Sequence, residues 1–401
     1  MLHSTASGYM ELPESPIGYF NPRFCSFEGL YNPDVRVQFY GMFRRCSSID
    51  NVCTQLSHQL ISTMNQVGLH SYNGRPFFDH SLTSFAYINK AAPIAIFYGT
   101  PDFPPPFFFD HETKIGGFVC ETDEVPQRWV RTCNRFDLIL VPSRFCKQAF
   151  ERSGVTTPIG ITPHGLEPEY RPLPGRTRRD PYVFFNTVNS HVPARKGLEE
   201  LLRCFVRAFP DRSDVQLRIR LKRSDIVDEI LADYDLCPQI WVEEIDDSST
   251  ADFAAIYSNV HCTVHPSKGE GFGLIPFQSI ACETPVIAPQ STGMADFLRE
   301  DNAMLLRTKG FTNEANVYYK CGSYAVIDED HLVELMQYAE SNWEAECEKV
   351  KRIAPAFREK YKWNKVLHKT VTLIKDLAAL NDPAERTKLI RQRVHDLTPV
   401  D

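Results

Sequence analysis

The chain has 401 residues, 43% of them hydrophobic and 24% charged, and its formal net charge at pH 7 is -7. Because a single hydrophobic core usually stops growing at about 250–300 residues, this length predicts two domains. The acidic balance argues against a protein dedicated to gripping nucleic-acid backbones, and no run of about 20 apolar residues is available to span a membrane.

The amino-terminal residues lack a basic stretch followed by an apolar run, so a cytoplasmic location is expected, with peripheral membrane contact left open. Twelve cysteines are scattered along the chain without a CxxC pair. This spacing favours buried, reduced thiols over a metal site or a disulfide framework.

The first half of the chain alternates between predicted strands and helices. Apolar or alternating runs predict strands at residues 35–39, 94–97 and 137–141. Residues 52–67 have apolar positions at near-helical spacing, with Ser47 and Ser48 as candidate N-caps and Gly68 as a candidate end. A further helix is predicted over residues 145–153, so this half is expected to be α/β with parallel strands.

Two proline-rich segments interrupt this pattern. Residues 101–110 (PDFPPPFFFD) are predicted to form a stiff loop without regular structure, either packed over the sheet or facing a substrate. Residues 167–181 have the composition of a linker, and their arginines, Arg176, Arg178 and Arg179, are expected to be a solvated surface cluster.

The second half repeats the α/β pattern. Strands are predicted at residues 182–185, 215–221, 240–242, 260–264 and 285–288, and helix faces over 198–209, after 328 and after 363. We therefore expect an N-terminal domain at 1–170, a linker at 171–181 and a second domain at 182–355. Residues 356–401 are expected to be helical and to pack back towards the N-terminal domain.

The most informative stretch is 265–289, HPSKGEGFGLIPFQSIACETPVIAP. A predicted strand runs into a loop with three glycines, and a helix follows. Glycines allow close approach of the backbone, and the start of a helix attracts anions, so this loop is suited to a diphosphate. Glu270 lies among the glycines, where a carboxylate would face a sugar hydroxyl or a developing positive charge.

This stretch resembles the C-terminal signature of family 4 glycosyltransferases. Supporting similarities are the segments 141–145 (VPSRF), 162–166 (TPHGL), 195–197 (RKG) and 292–296 (TGMAD). The resemblance implies the GT-B fold, with two facing Rossmann-like domains, parallel sheets and an interdomain cleft. It also implies a transferase that uses a nucleotide-sugar donor and retains the anomeric configuration.

The resemblance assigns donor contacts residue by residue. Glu270 matches the first glutamate of the family's paired motif and contacts the transferred sugar, while Lys196 neutralises the diphosphate. The loop that faces the sugar and the diphosphate corresponds to Gly271, Phe272, Gly273 and Leu274. Ser267 belongs to the same loop, and Lys222 is a further candidate for this pocket.

The chain departs from the family pattern at two positions. The second glutamate, which binds the ribose hydroxyls, is replaced by Gln278, so the charge-assisted contact is lost. The arginine that commonly lies six residues before the lysine is replaced by Ser190. The diphosphate is therefore expected to depend on Lys196 and on backbone groups.

In the N-terminal half, Glu121 and His111 are candidates for acceptor or sugar contacts, and for His111 a structural role is an equal alternative. Gly41 follows the first predicted strand and is a candidate for backbone contact with the donor phosphate. No protein-bound cofactor or metal is expected, and the donor is expected to be a UDP- or GDP-sugar.

The sequence thus predicts a metal-independent glycosyltransferase with an unidentified acceptor, which could be a glycan, a lipid-linked molecule or a small molecule. Two alternatives remain open. One is transfer to a modified base in DNA, which the arginine cluster and the aromatic loop permit and the net charge disfavours. The other is a non-catalytic protein that keeps the fold for binding or scaffolding.

Overall fold

Short apolar strands separated by helices assemble into two six-stranded sheets, in which every pairing is parallel. The computed structural model describes residues 30–43, 48–72, 77, 79–174, 177–188, 192–234, 236–245, 253–313 and 319–398. Such strands are buried on both faces, which explains their nearly continuous apolar sequences. The predicted α/β class with parallel sheets is confirmed.

The N-terminal lobe is the unit built around the first sheet. Its elements are β1 (Leu30–Tyr31), β2 (Val37–Gly41), α1 (Ser48–Thr63), β3 (Val67–Ser71), β4 (Tyr87–Ile88), β5 (Ile94–Tyr98), β6 (Thr113–Gly117), α2 (Gln127–Cys133), β7 (Leu138–Val141), α3 (Arg144–Arg152) and β8 (Ile159–Ile161). The order in the sheet is β3-β2-β5-β6-β7-β8, and β1 pairs with β4 separately.

Two predictions in this lobe need correction. Helix α1 ends at Thr63, and Val67 and Gly68 belong to strand β3, so the helical spacing was extended too far. Gly68 does not end a helix, because it pairs with Gln38 in the sheet at a place where a Cβ would meet the Tyr87 carbonyl. The proline-rich loop contains a short 3-10 helix at Pro106–Asp110, because a proline suits the first turn of a helix.

The C-terminal lobe is the unit built around the second sheet. Its elements are β9 (Tyr182–Val188), α4 (Leu198–Ala208), β10 (Val215–Leu221), α5 (Asp225–Ala232), β11 (Ile240–Glu244), α6 (Phe253–Ser258), β12 (Cys262–Val264), α7 (Leu274–Ala281), β13 (Val286–Pro289), β14 (Met304–Leu306), β15 (Thr308–Thr312), β16 (Tyr324–Ile327) and α8 (Glu329–Ser341). The order in the sheet is β11-β10-β9-β12-β13-β14, and β15 and β16 form an antiparallel pair outside it.

The chain then crosses back to the N-terminal lobe through four helices. These are α9 (Trp343–Lys360), α10 (Trp363–Val366), α11 (His368–Ala379) and α12 (Pro383–Arg393). Helix α9 packs against α7, and α11 packs against α1. Arg36 of the N-terminal lobe donates to the carbonyl oxygens of Ala378 at 2.6 Å and Leu380 at 2.9 Å, so it satisfies the end of α11.

A continuous apolar cluster joins the two lobes through these helices. It extends from Val37 and Ile94 in the first sheet, through Ile374 of α11, to Phe277 of α7. Among the described residues, no helix is long and apolar enough to cross a membrane.

Candidate active site

The candidate site lies where the strand order of the second sheet reverses. In open parallel sheets, ligands bind outside the carboxyl ends of the strands at this switch point. The order places it between β9 and β12. Lys196 lies on the segment that follows β9, and Glu270 lies on the segment that follows β12. The topology alone therefore brings these two residues to the same crevice.

Two helices begin beside this crevice with glycine N-caps. Gly197 precedes α4 with φ 70°, and Gly273 precedes α7 with φ 99°, both in the left-handed region that suits glycine. Neither cap has a side-chain hydrogen bond, and the first N–H of α4, at Leu198, donates to the Pro193 carbonyl at 3.2 Å. These ends supply positive potential for an anion.

Glu270 is the centre of a buried charged cluster. Its Oε1 lies 2.5 Å from Lys196 Nζ and 3.0 Å from His265 Nε2, and its Oε2 lies 3.7 Å from Arg195 NH1. The residue is only 8% exposed. Its backbone is also fixed, because its N–H donates to Thr292 Oγ1 at 3.1 Å.

The protonation states in this cluster follow from burial and charge. Burial alone would raise the pKa of Glu270, but the Lys196 charge, the His265 hydrogen bond and the Arg195 charge hold that pKa well below its usual range. Burial lowers the pKa of His265 despite the neighbouring carboxylate. At neutral pH the cluster therefore contains an ionised Glu270 and a neutral His265.

Arg195 links this cluster to the N-terminal lobe. Its NH1 donates to the Gly269 carbonyl at 2.6 Å, and its NH2 lies 3.9 Å from Glu121 Oε1. Glu121 also accepts a hydrogen bond from the Tyr319 hydroxyl. The structure thus brings the predicted Glu121 into the same network as Glu270, with Arg195 between them.

The glycine-rich loop packs directly on the N-terminal lobe. A Cβ at Gly269 would overlap the Glu121 carbonyl, and a Cβ at Gly271 would overlap Val119. Ser143, the N-cap of α3, donates to the Gly271 carbonyl at 2.6 Å. These glycines were expected to let a ligand approach the backbone. In the structure they let the N-terminal lobe pack against the backbone of the loop.

The remaining loop candidates have packing contacts. Phe272 is buried and its ring lies 4.9 Å from the rings of His164 and Phe277. Ser267 is buried, and its hydroxyl donates to the Gly269 carbonyl at 3.3 Å. Leu274 is the first residue of α7 and is half-buried.

Gln278 lies on α7 and is 8% exposed. Its Oε1 accepts a hydrogen bond from the Tyr257 hydroxyl at 3.2 Å. Tyr257 belongs to α6, so this hydrogen bond joins α6 to α7.

His111 and Gly41 have contacts outside this network. His111 Nδ1 donates to the Ala92 carbonyl at 2.7 Å, and its Nε2 lies 3.0 Å from the Tyr40 hydroxyl. Both ring nitrogens are therefore used within the N-terminal lobe, which favours a structural role for His111. Gly41 ends β2, where a Cβ would crowd Cys53 and Phe43.

The remaining sequence-predicted positions are Lys222, Ser190 and the arginine cluster at 176–179. Lys222 directly follows β10 and is half-buried. Ser190 and Arg176 lie outside the described residues. Arg178 pairs with Glu340 at 2.5 Å, and Arg179 donates to the Asn259 carbonyl at 2.7 Å, so these two arginines are engaged with their own lobe.

Sequence reasoning gave no individual role to three members of the network. Arg195 and His265 were visible only as parts of motifs, although His265 directly follows a strand that ends at the crevice. Tyr319 had no signal, because its contact with Glu121 joins residues 198 positions apart. Among the described residues, no group of three or more His, Cys, Asp or Glu side chains is arranged to hold a metal ion.

Comparison with known protein families gives one match. Residues 233–369 match the family described as "Family 4 Glycosyltransferase in conflict systems". This segment includes Glu270, Gln278 and the glycine-rich loop. No curated protein matches the sequence at a significant level.

Solved structures share the fold at low sequence identity. Sucrose-phosphate synthase from Thermosynechococcus elongatus has a TM-score of 0.61 at 14% identity, covering 86% of this chain and 99% of its own. HepE from Anabaena in complex with UDP-glucose has a TM-score of 0.63 at 12% identity, covering 86% and 99%. WaaG, a glycosyltransferase involved in lipopolysaccharide biosynthesis, has a TM-score of 0.59 at 12% identity, covering 84% and 99%. Segment 233–369 is thus similar to family 4 glycosyltransferases, and the chain as a whole has the GT-B fold of these structures.

Proposed function

We propose that this protein transfers a sugar from a UDP- or GDP-sugar to an acceptor with retention of the anomeric configuration. The observation that carries the proposal is the ionised Glu270 held beside Lys196 at the switch point of the second sheet. A carboxylate and an ammonium side by side suit the two parts of such a donor, which are the sugar hydroxyls and the diphosphate.

The positive charge at the crevice supports a role in stabilising the leaving group. When the bond between the anomeric carbon and the diphosphate oxygen breaks, negative charge accumulates on the diphosphate. Lys196 and the positive N-terminal ends of α4 and α7 would stabilise that charge without a metal ion. Glu270 would hold the sugar, whose anomeric carbon becomes positively charged in the transition state.

The resting network explains how the site stays neutral before the donor binds. Lys196 and Arg195 carry positive charge, and Glu270 and Glu121 balance it. Donor binding would draw Lys196 towards the diphosphate and free one side of the Glu270 carboxylate for the sugar. The complex of HepE with UDP-glucose, in a protein of similar fold, supports a donor of this class.

A donor screen tests the proposal. We expect calorimetry to show binding of one UDP- or GDP-sugar to the wild-type protein, and slow hydrolysis of that donor without an acceptor. Nucleoside monophosphates are the control, because they lack the diphosphate and should bind much more weakly. A protein that gave no donor-dependent heat with either nucleotide series would be a scaffold, and the proposal would be wrong.

Substituting Gln278 by glutamate tests the donor contact at the departure from the family pattern. The carboxylate can still accept from Tyr257, so we expect the fold to be kept and donor affinity to rise by about tenfold, the difference between a neutral and a charge-assisted hydrogen bond. The measurement is calorimetric Kd. A donor with 2′-deoxyribose is the control, since the gain should shrink with it. An unchanged Kd would place residue 278 outside the donor contacts.

A further inference from the structure

His265 is a buried side chain that the proposed chemistry does not use. It directly follows β12 and is 1% exposed. Its backbone N–H donates to the Ile287 carbonyl at 2.8 Å, which continues the ladder between β12 and β13. The backbone of His265 is therefore held by the sheet and not by the loop that follows.

The tautomer of His265 follows from its surroundings. Burial lowers its pKa, so the ring is neutral and carries one proton. Because a carboxylate only accepts hydrogen bonds, the nitrogen that lies 3.0 Å from Glu270 Oε1 must be the one that donates. The proton is thus on Nε2. Nδ1 is buried and has no hydrogen-bond partner within the described part of the chain.

The other groups that face Glu270 are charged and have competing partners. Lys196 shares Oε1 with His265, and its ammonium would be drawn to the diphosphate when the donor binds. Arg195 lies 3.7 Å from Oε2 and is held by the Gly269 carbonyl and by Glu121. The neutral imidazole has no such competing partner, and a phosphate attracts it less than it attracts a cation.

We propose that His265 is a positioning residue that keeps the Glu270 carboxylate oriented and ionised while Lys196 binds the diphosphate. This inference rests on the proposed function for its effect on turnover. Its structural part, a donor hydrogen bond from Nε2 to Glu270, holds whether or not the protein is a transferase.

A pair of variants with similar side-chain volume separates the hydrogen bond from simple packing. His265→Gln places an amide donor near the position of Nε2, whereas His265→Met removes the donor. We expect His265→Met to lower kcat by about tenfold or more, with a smaller change in donor KM, and His265→Gln to recover most of the loss. Equal losses in both variants, or none, would overturn the proposal.

The pH dependence gives a readout that packing alone would not change. The donor hydrogen bond stabilises the ionised form of Glu270, so its removal raises the pKa of that carboxyl. We expect the acidic limb of the kcat profile to move upward by about one pH unit in His265→Met and to stay near the wild-type position in His265→Gln. If the acidic limb of the kcat profile does not move in His265→Met, the proposed positioning role of His265 is wrong.

Nitrogen NMR of the wild-type protein tests the contact without any activity measurement. The ¹⁵N shifts of His265 should report a neutral ring with its proton on Nε2, and the Nε2 signal should move in Glu270→Gln. A proton on Nδ1 would overturn the inference even if the variants do not fold. If the donor screen fails while the proton is on Nε2, the proposed function is wrong and the contact stands.

Discussion

Replacing Glu270 by glutamine is expected to lower kcat by roughly 10²–10³-fold, the range seen when one preorganised electrostatic contact is removed from an active site. The amide keeps the shape of the side chain but loses the charge that faces the sugar and balances Lys196. Donor binding should weaken much less than turnover. The measurement is steady-state kinetics with the donor identified by calorimetry.

Glu270→Gln is a sharper variant than Glu270→Ala. Alanine would leave Lys196 and Arg195 buried without their carboxylate, a change that costs roughly 3–5 kcal/mol of stability when a buried pair is broken. Glutamine still accepts a hydrogen bond at the same place. Glu348→Gln is the control, because Glu348 is an exposed carboxylate paired with Lys351 on α9, and it should leave activity unchanged. A wild-type kcat in Glu270→Gln would refute the assignment of Glu270 to the active site.

Replacing Lys196 by methionine is expected to have the second large effect, a loss of roughly 10²–10³-fold in kcat/KM for the donor. The aliphatic part of the side chain is kept, while the ammonium that contacts Glu270 is removed. The loss should appear in donor binding as well as in kcat, because the diphosphate is present in both the ground state and the transition state.

The Lys196→Met variant is also expected to change the pH dependence of kcat. The Lys196 charge is one cause of the low pKa of Glu270, so its removal raises that pKa and moves the acidic limb of the kcat profile upward. Lys222→Met is the matched control, since Lys222 is the other lysine that the sequence offers for the same pocket. Equal losses at positions 196 and 222 would contradict the assignment of the main diphosphate contact to Lys196.

The contact between the lobes gives the site its second wall. Arg195, Gly269 and Gly271 belong to the C-terminal lobe, and their partners Glu121, Val119 and Ser143 belong to the N-terminal lobe. The residue just before β16 adds to this wall, because Ser323 N donates to Asp123 Oδ1 at 2.6 Å. In the proposed function, a donor in the crevice would therefore meet residues from both halves of the chain.

The strands with clear apolar or alternating patterns could be predicted from the sequence. Residues 215–221 were identified because apolar and polar residues alternate with the period of a strand, and residues 94–97 because they form a short, continuous apolar run. Strand β6 was missed, since its sequence TKIGG contains two glycines and little alternation. Those glycines make room for the rings of Phe118 and Tyr98, which is a tertiary requirement that leaves no periodic signal.

The boundary between α1 and β3 was misplaced for a related reason. Val67 fits both the helical spacing of the preceding residues and the first position of a strand, so periodicity alone could not separate them. Residues 67–71 form a strand because they pair with β2 in the sheet, and a longer helix would lack these backbone hydrogen bonds to β2. Helix α9 was likewise not located by its own pattern, which contains Pro355 in its interior.

The sequence by itself predicted the α/β class, the strands with clear apolar or alternating patterns and the glycine-rich loop, and it singled out Glu270 and Lys196, because each of these leaves a local pattern of residue types and spacing. Only the tertiary structure decided that Arg195, Glu121 and Tyr319 form one network, that His265 donates to Glu270, and that the contacts of His111 lie elsewhere. The physical reason is the separation along the sequence between the residues that come into contact. A side-chain contact between Glu121 and Tyr319 depends on how two lobes close over a crevice, and residues 198 positions apart share no local periodicity that could encode it.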